Sequence, residues 1–345
     1  MKVLALIVLL VVILGVCRAE DAQPAEPPKD EIAVTWWGCM SVEVNVGDVS
    51  LVFDPYVKPD EPRFDYVFCS HDHYDHCHEK TLRKLVVPHS DRFKMLFAAR
   101  GCFYASRIDG PNNWGNTLLS DLSFVPREKC IALYPKYRDS VSPHIRPEVK
   151  KATFGGPNEV VVGRLRVEGF RAHEDPQPGP MYRDKYVELS GPWPNMGYLV
   201  TDTVTGRSFA HTGDIWNAYP EMKRMRGNVD VLFYPLGKLN LEEKTKMMDY
   251  IRPTIAIPTH YRILEPDFPI PADYLAIMKE EDVYKDDETT RKACLGHWYP
   301  SPKDPPKEIS DQREKLKPFT RVIELKGGVR YVLPDDLATF EGRKR

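Results

Sequence analysis

Four consecutive apolar residues, Tyr66, Val67, Phe68 and Cys69, constrain what this chain can fold into more than any other stretch. The run has the length of a β-strand, and with no polar break it must be buried on both faces. The segments before it, IAVTWW (Ile32 to Trp37), SVEVNV (Ser41 to Val46) and LVFDPY (Leu51 to Tyr56), are short β-rich runs parted by turn residues such as Gly47 and Asp48, a meander. EKTLRKLVV after it predicts a short helix. Further on, EVVVGRLRVEGF predicts a hairpin turning near Gly163, and MGYLVTD and RSFAHTGD predict strands. Two strand-and-helix units follow, VDVLFYP with LEEKTKMMDYI and TIAIPTH with PADYLAIMKE. This order, β first and α/β later, predicts an α/β fold whose sheets carry helices on their outer faces. No internal repeat stands out, although two halves of related architecture fit the order. The 31 prolines, about twice the usual share, argue for fixed turns and long connections and against a helical bundle. The stretch from Pro88 to Pro157 has no clear period and is expected to be an elaboration on the core. RVIELKGGVRYVLP predicts a terminal hairpin turning at Gly327 and Gly328.

Lys2, the unbroken apolar run Val3 to Val16, and the small residues Cys17 and Ala19 have the layout of a cleaved export signal over residues 1–19. The run is short of the roughly 20 residues that span a bilayer, and no second one appears, so no transmembrane segment is expected after cleavage. A loose proline-rich leader over 20–31 is expected next. Export leaves two readings open for Cys39, Cys69, Cys77, Cys102, Cys130 and Cys294: disulfides, whose pairing sequence does not choose, or buried thiols. A net charge of −2 gives no basic surface for nucleic acid.

Directly behind the buried strand comes SHDHYDHCH, Ser70 to His78. His71, His73, Asp75 and His76 on a turn leaving a strand bring nitrogen and oxygen donors toward one point, and imidazole with carboxylate is a usual ligand set for Zn²⁺ and similar ions.

HDHYDH resembles the His-x-His-x-Asp-His signature of the metallo-β-lactamase-fold hydrolases, and the later positions that this family's pattern calls for look like His173 in FRAHED, Asp214 in HTGD and His260 in IPTHY, in the family's order. His211, three residues before Asp214 in an extended segment, points away from the aspartate's face and is left out of the site. The resemblance covers about Ile32 to Leu264 and implies an αββα sandwich, two mixed β-sheets with helices on the outer faces, over a domain of about 32–284, with 285–345 as a C-terminal extension. It implies two divalent metal ions, zinc with manganese or iron as substitutes: His71, His73 and His173 on one, Asp75, His76 and His260 on the other, and Asp214 between them. Asp54 matches the carboxylate that orients a ligand imidazole, and Asp75 is the candidate proton carrier. The implied reaction is hydrolysis of an ester, lactone, phosphodiester or amide by a metal-bridging hydroxide, on a small-molecule or lipid-like substrate. The opening VTWWGCMSVEVNVGDVSLVFDPY is most similar to the ascorbate-6-phosphate lactonase-like and N-acyl-phosphatidylethanolamine phospholipase D-like branch, although Gly38, Cys39 and Met40 replace that branch's Gly-His-Ser or Gly-His-Ala step. Tyr182, Tyr186 and Trp193 in the segment Glu174 to Asn195 can line a substrate mouth or pin their own loop. The alternatives are a non-catalytic metal-binding or scaffold protein, and a di-iron redox protein on the same fold. Flavodiiron proteins carry Glu where His73 stands and add a flavin domain, which this chain does not show.

Overall fold

A computed structural model describes residues 32–56, 64–71, 76–86, 91–99, 102, 124–133, 157–173, 195–261 and 305–333. The expected signal, leader, second strand-unit helix (PADYLAIMKE) and mouth loop lie outside these residues, as do His73 and Asp75.

The meander forms as expected. Strands β1 (Ile32–Gly38), β2 (Ser41–Val46) and β3 (Val49–Phe53) pair antiparallel in chain order. The buried strand β4 (Tyr66–Cys69) then runs parallel to β3, with Phe53 opposite Phe68, and is followed by helix α1 (Glu79–Val86). Two further parallel strands, β5 (Met95–Ala99) and β6 (Cys130–Leu133), complete this side of the sheet. The stretch Pro88 to Pro157, expected as an elaboration on the core, supplies both of these strands, and Leu96, Phe97, Ala98, Ala99 and Leu133 are buried in that core. MLFAA carries the same unbroken apolar signature as YVFC, and parallel pairing supplies partners that no local period reveals.

The second sheet repeats the plan. Strands β7 (Glu159–Val162) and β8 (Leu165–His173) form the expected hairpin, with β9 (Asn195–Asp202) and β10 (Ser208–His211) antiparallel beyond it. Parallel pairing takes over with β11 (Val231–Pro235) and β12 (Ile255–Thr259), separated by helix α2 (Leu241–Ile251). Asn240 caps α2 by accepting the Glu243 N–H, and Lys244, Met247, Met248 and Ile251 form its buried stripe.

The chain's end closes both sheets. After helix α3 (Pro305–Leu316), β13 (Arg321–Val322) pairs parallel with β12, whereas β14 (Arg330–Val332) pairs antiparallel with β1. The predicted terminal hairpin is thus corrected: the two strands flank a tight turn but join different sheets, because each finds an open edge there. Among the described residues the result is two mixed seven-stranded sheets, the αββα architecture expected. Their inner faces meet through aromatic rings, with Phe53 6.3 Å from Phe233 and Phe68 5.4 Å from Tyr198. None of the five described cysteines is in a disulfide, and four of them are buried, which favours the thiol reading for these five. Among the described residues no helix is long and apolar enough to cross a membrane.

Candidate metal centre

The parallel register that sets Phe53 against Phe68 brings the residue after each strand, Asp54 and then Ser70, side by side. Asp54 sits in the left-handed region at φ +43°, its N–H donating to the Phe68 carbonyl at 2.7 Å. Its carboxylate accepts from the Ser70 N–H and the Ser70 hydroxyl, each at 2.7 Å, and lies 2.7 Å from His76 Nδ1. Ser70 Oγ is also 2.9 Å from His71 Nδ1. A hydroxyl that donates to Asp54 accepts from His71, so both imidazoles carry their proton on Nδ1. Both therefore turn a bare Nε2 lone pair toward Asp214.

Asp214 is where the site converges. His76 Nε2 and His260 Nε2 lie 3.4 and 3.3 Å from its Oδ1, and His71 Nε2 lies 3.8 Å from its Oδ2. One nitrogen each from His71 and His76 and one oxygen from Asp214 fall within 4.8 Å of one another, a spacing that can hold a metal ion. All of these side chains are buried, and Asp214 Oδ1 accepts no hydrogen bond from the described residues. A buried carboxylate oxygen facing two imidazole nitrogens without a donor suits a cation between them. Burial alone would raise the Asp214 pKa, but the Lys238 ammonium, the largest of the opposing influences, leads the positive field that holds the carboxyl well below its usual range.

The backbone is bent to make this approach. His260 has φ +57° and is held by its N–H donating to the Cys39 carbonyl at 2.8 Å. Cys39, itself at φ +48°, accepts the Trp36 indole N–H on the same oxygen at 2.9 Å. Cys39, Asp54 and His260 are three of the four described non-glycine residues at positive φ, the other being the C-cap of α2. Unfavourable backbone gathered at one place is a mark of a working site. Gly213, at φ +55°, lets Ser70 close in, since a Cβ there would stand 2.7 Å from Ser70 Cβ.

Of the residues predicted from sequence, the structure brings together His71, His76, Asp214 and His260 and puts Asp54 behind His76. His173 ends β8 at a register irregularity opposite Asn195, with its side chain outside the described set. His78 is engaged elsewhere, with Nδ1 2.9 Å from Thr81 Oγ1. His211 packs on the Phe53 ring, its Nε2 3.1 Å from the Met40 carbonyl and its Nδ1 accepting the Gly213 N–H. Burial lowers its pKa, in keeping with this neutral tautomer.

Two participants escaped the sequence reading. Ser70 had a signal, a hydroxyl directly before the first histidine. Lys238, with Nζ 2.8 Å from Asp214 Oδ2, had none, since its loop meets the site only in three dimensions.

Residues 33–260 match the family described as Beta-lactamase superfamily domain. Among curated relatives, a UPF0173 protein of Pyrococcus abyssi is 25% identical over 234 residues, 66% of this chain and 82% of that protein. A UPF0173 protein of Pyrococcus furiosus is 24% identical over the same shares. Among solved structures, Igni18, a metallo hydrolase of Ignicoccus hospitalis, aligns at TM-score 0.48 and 13% identity over 88% of this chain and all of that one. CmlA, a diiron β-hydroxylase of Streptomyces venezuelae, aligns at TM-score 0.49 and 13% identity over 89% of this chain and 55% of that one. The family match begins in β1, where the first sheet starts, and ends on His260, the last histidine of the converging set: the chain belongs to the metallo-β-lactamase superfamily.

Proposed function

We propose that the chain is an exported metal-dependent hydrolase whose centre is held by His71, His73 and His173 on one side, Asp75, His76 and His260 on the other, and Asp214 between. One observation carries the two-sided reading. The Asp214 carboxylate divides its oxygens, with Oδ2 toward His71 and Oδ1 toward His76 and His260. Two divalent ions, zinc in this proposal, would supply an activated water and polarise the bond to be cut. The protein's own residues do the rest. Asp54 and Ser70 fix the tautomers and ring directions of His71 and His76, and the buried walls limit competing water. Asp75, next to His76 in sequence, is assigned proton transfer to the leaving group. The substrate is a small or lipid-like ester, lactone, phosphodiester or amide. The resemblance of residues 34–56 supports the lactonase-like and phospholipase D-like branch. The apolar run Val3 to Val16 supports export.

Metal analysis of the purified protein tests the centre. About two ions per chain are expected, with a marked loss in Asp214→Ala and His173→Ala. Less than one ion, unaffected by those changes, overturns the reading. A chromogenic phosphodiester, a lactone and an N-acyl phospholipid then separate the substrate classes.

A further inference from the structure

Lys238 lies in a short link whose ends are both pinned. Behind it, β11 runs on until the Leu236 N–H donates to the Thr259 carbonyl at 2.7 Å, and ahead of it Asn240 caps α2. Leu236 and Leu239 on either side of the lysine are buried. The side chain is 12% exposed, so it lies between the interior and solvent, and its ammonium is 2.8 Å from Asp214 Oδ2. Trp216, two residues past Asp214 and half-buried, presents its ring 5.3 Å from the same ammonium. The backbone just beyond Trp216 is tied down in turn, because the Ala218 N–H donates to the Glu243 carboxylate in the first turn of α2 at 2.8 Å. One helix start therefore positions both the cation and the ring.

A lysine ammonium beside a carboxylate that three imidazoles already face is an unusual neighbour for a cation-binding centre. Like charges repel at short range, and a metal ion at Asp214 would add to the positive field around Lys238. An arriving anion relieves that repulsion, and a compact ammonium on a long stem is suited to oxygens of varied geometry. We propose that Lys238 anchors the substrate through an oxyanion next to the scissile bond, with the face of Trp216 against the group beside it. The substrates are then anionic, phosphodiesters or esters and lactones bearing a carboxylate. This assignment rests on the hydrolytic reading of the centre and names its substrate class.

Three p-nitrophenyl esters sharing one leaving group provide the test: bis(p-nitrophenyl) phosphate, the carboxylated p-nitrophenyl succinate and the neutral p-nitrophenyl acetate. In Lys238→Ala carrying the metal content of the wild type, KM for an anionic ester should rise about tenfold relative to the acetate, the loss of one charge-assisted contact. Lys238→Arg should restore most of it. Which anionic ester shows the effect tells the phosphate source from the carboxylate. Binding of inorganic phosphate to the metal-loaded protein, followed by calorimetry, should weaken by a similar factor in Lys238→Ala. An equal effect on all three esters, unaltered phosphate affinity, or loss of metal in Lys238→Ala overturns the anchor. A wild type that turns over none of the esters, yet loses phosphate affinity in Lys238→Ala, overturns hydrolysis and leaves the anchor standing.

Discussion

Asp54 holds an uncommon backbone conformation so that one carboxylate can serve Ser70 and His76 together. Asp54→Asn preserves the shape but removes the charge and lets the amide offer a donor to His76 Nδ1, so the imidazole is free to turn. Metal affinity should fall about 10- to 100-fold, as for other residues that orient a ligand, measured by chelator competition. A fall of less than twofold would deny Asp54 this role. Gly213 works by absence of a side chain. Gly213→Ala would put a Cβ 2.7 Å from Ser70 Cβ at φ +55°, a clash compounded by strain. A loss of about 1–3 kcal/mol is expected in urea denaturation.

At the scale of elements, α2 and α3 are joined by a buried polar cluster. Lys244 reaches the Leu236 carbonyl and, at 2.6 Å, Glu308 Oε1, while Tyr234 donates to Gln312 Oε1, also at 2.6 Å. Burial pushes the Lys244 pKa below the ordinary lysine value, against the pull of Glu308. The two partners are not equivalent, since Lys244 is buried and Glu308 is partly exposed. Glu308→Ala leaves a buried ammonium with the Leu236 carbonyl but without its counter-charge and should cost about 3 kcal/mol, whereas Lys244→Met leaves a carboxylate that water can reach and should cost about 1 kcal/mol. Denaturation of both variants checks the asymmetry, and equal costs would refute it. The turns after β7 and β9 are tied by Asp202, which accepts from Arg164 Nε and Nη2 at 2.6 Å each. Burial raises its pKa, but Arg164, Thr205 and the Val204 N–H outweigh that and lower it. A folded-state pKa below the unfolded one gives stability that is complete above about pH 4 and lost as pH falls through the folded value. The stability gap between wild type and Asp202→Asn should therefore be constant near neutrality and shrink on acidification. A gap that widens would reverse the sign.

For the whole molecule, the last strands matter because they close both sheets. Ending the chain at Leu316 removes β13 and β14 and the buried side chains Val322, Leu325 and Leu333. Three such side chains represent about 5 kcal/mol of burial, comparable with the net stability of a domain. The truncated protein should melt at least about 10 °C lower or fail to fold. A Tm close to that of the full chain would show the two edges to be dispensable. What the local pattern makes legible is the short apolar strands, the hairpin at Gly163, the helix α2 and the histidine cluster behind β4. These rest on period and composition within a few residues, where the chain has little choice. The assembled fold settles that Met95–Ala99 and Cys130–Leu133 enter the first sheet, that β13 and β14 part company across one turn, and that Ser70 and Lys238 stand beside the converging set. Each of those outcomes depends on parallel registers and open sheet edges, which bring together residues far apart in sequence; a local signal such as the apolar run MLFAA or the hydroxyl of Ser70 does not name its distant partner.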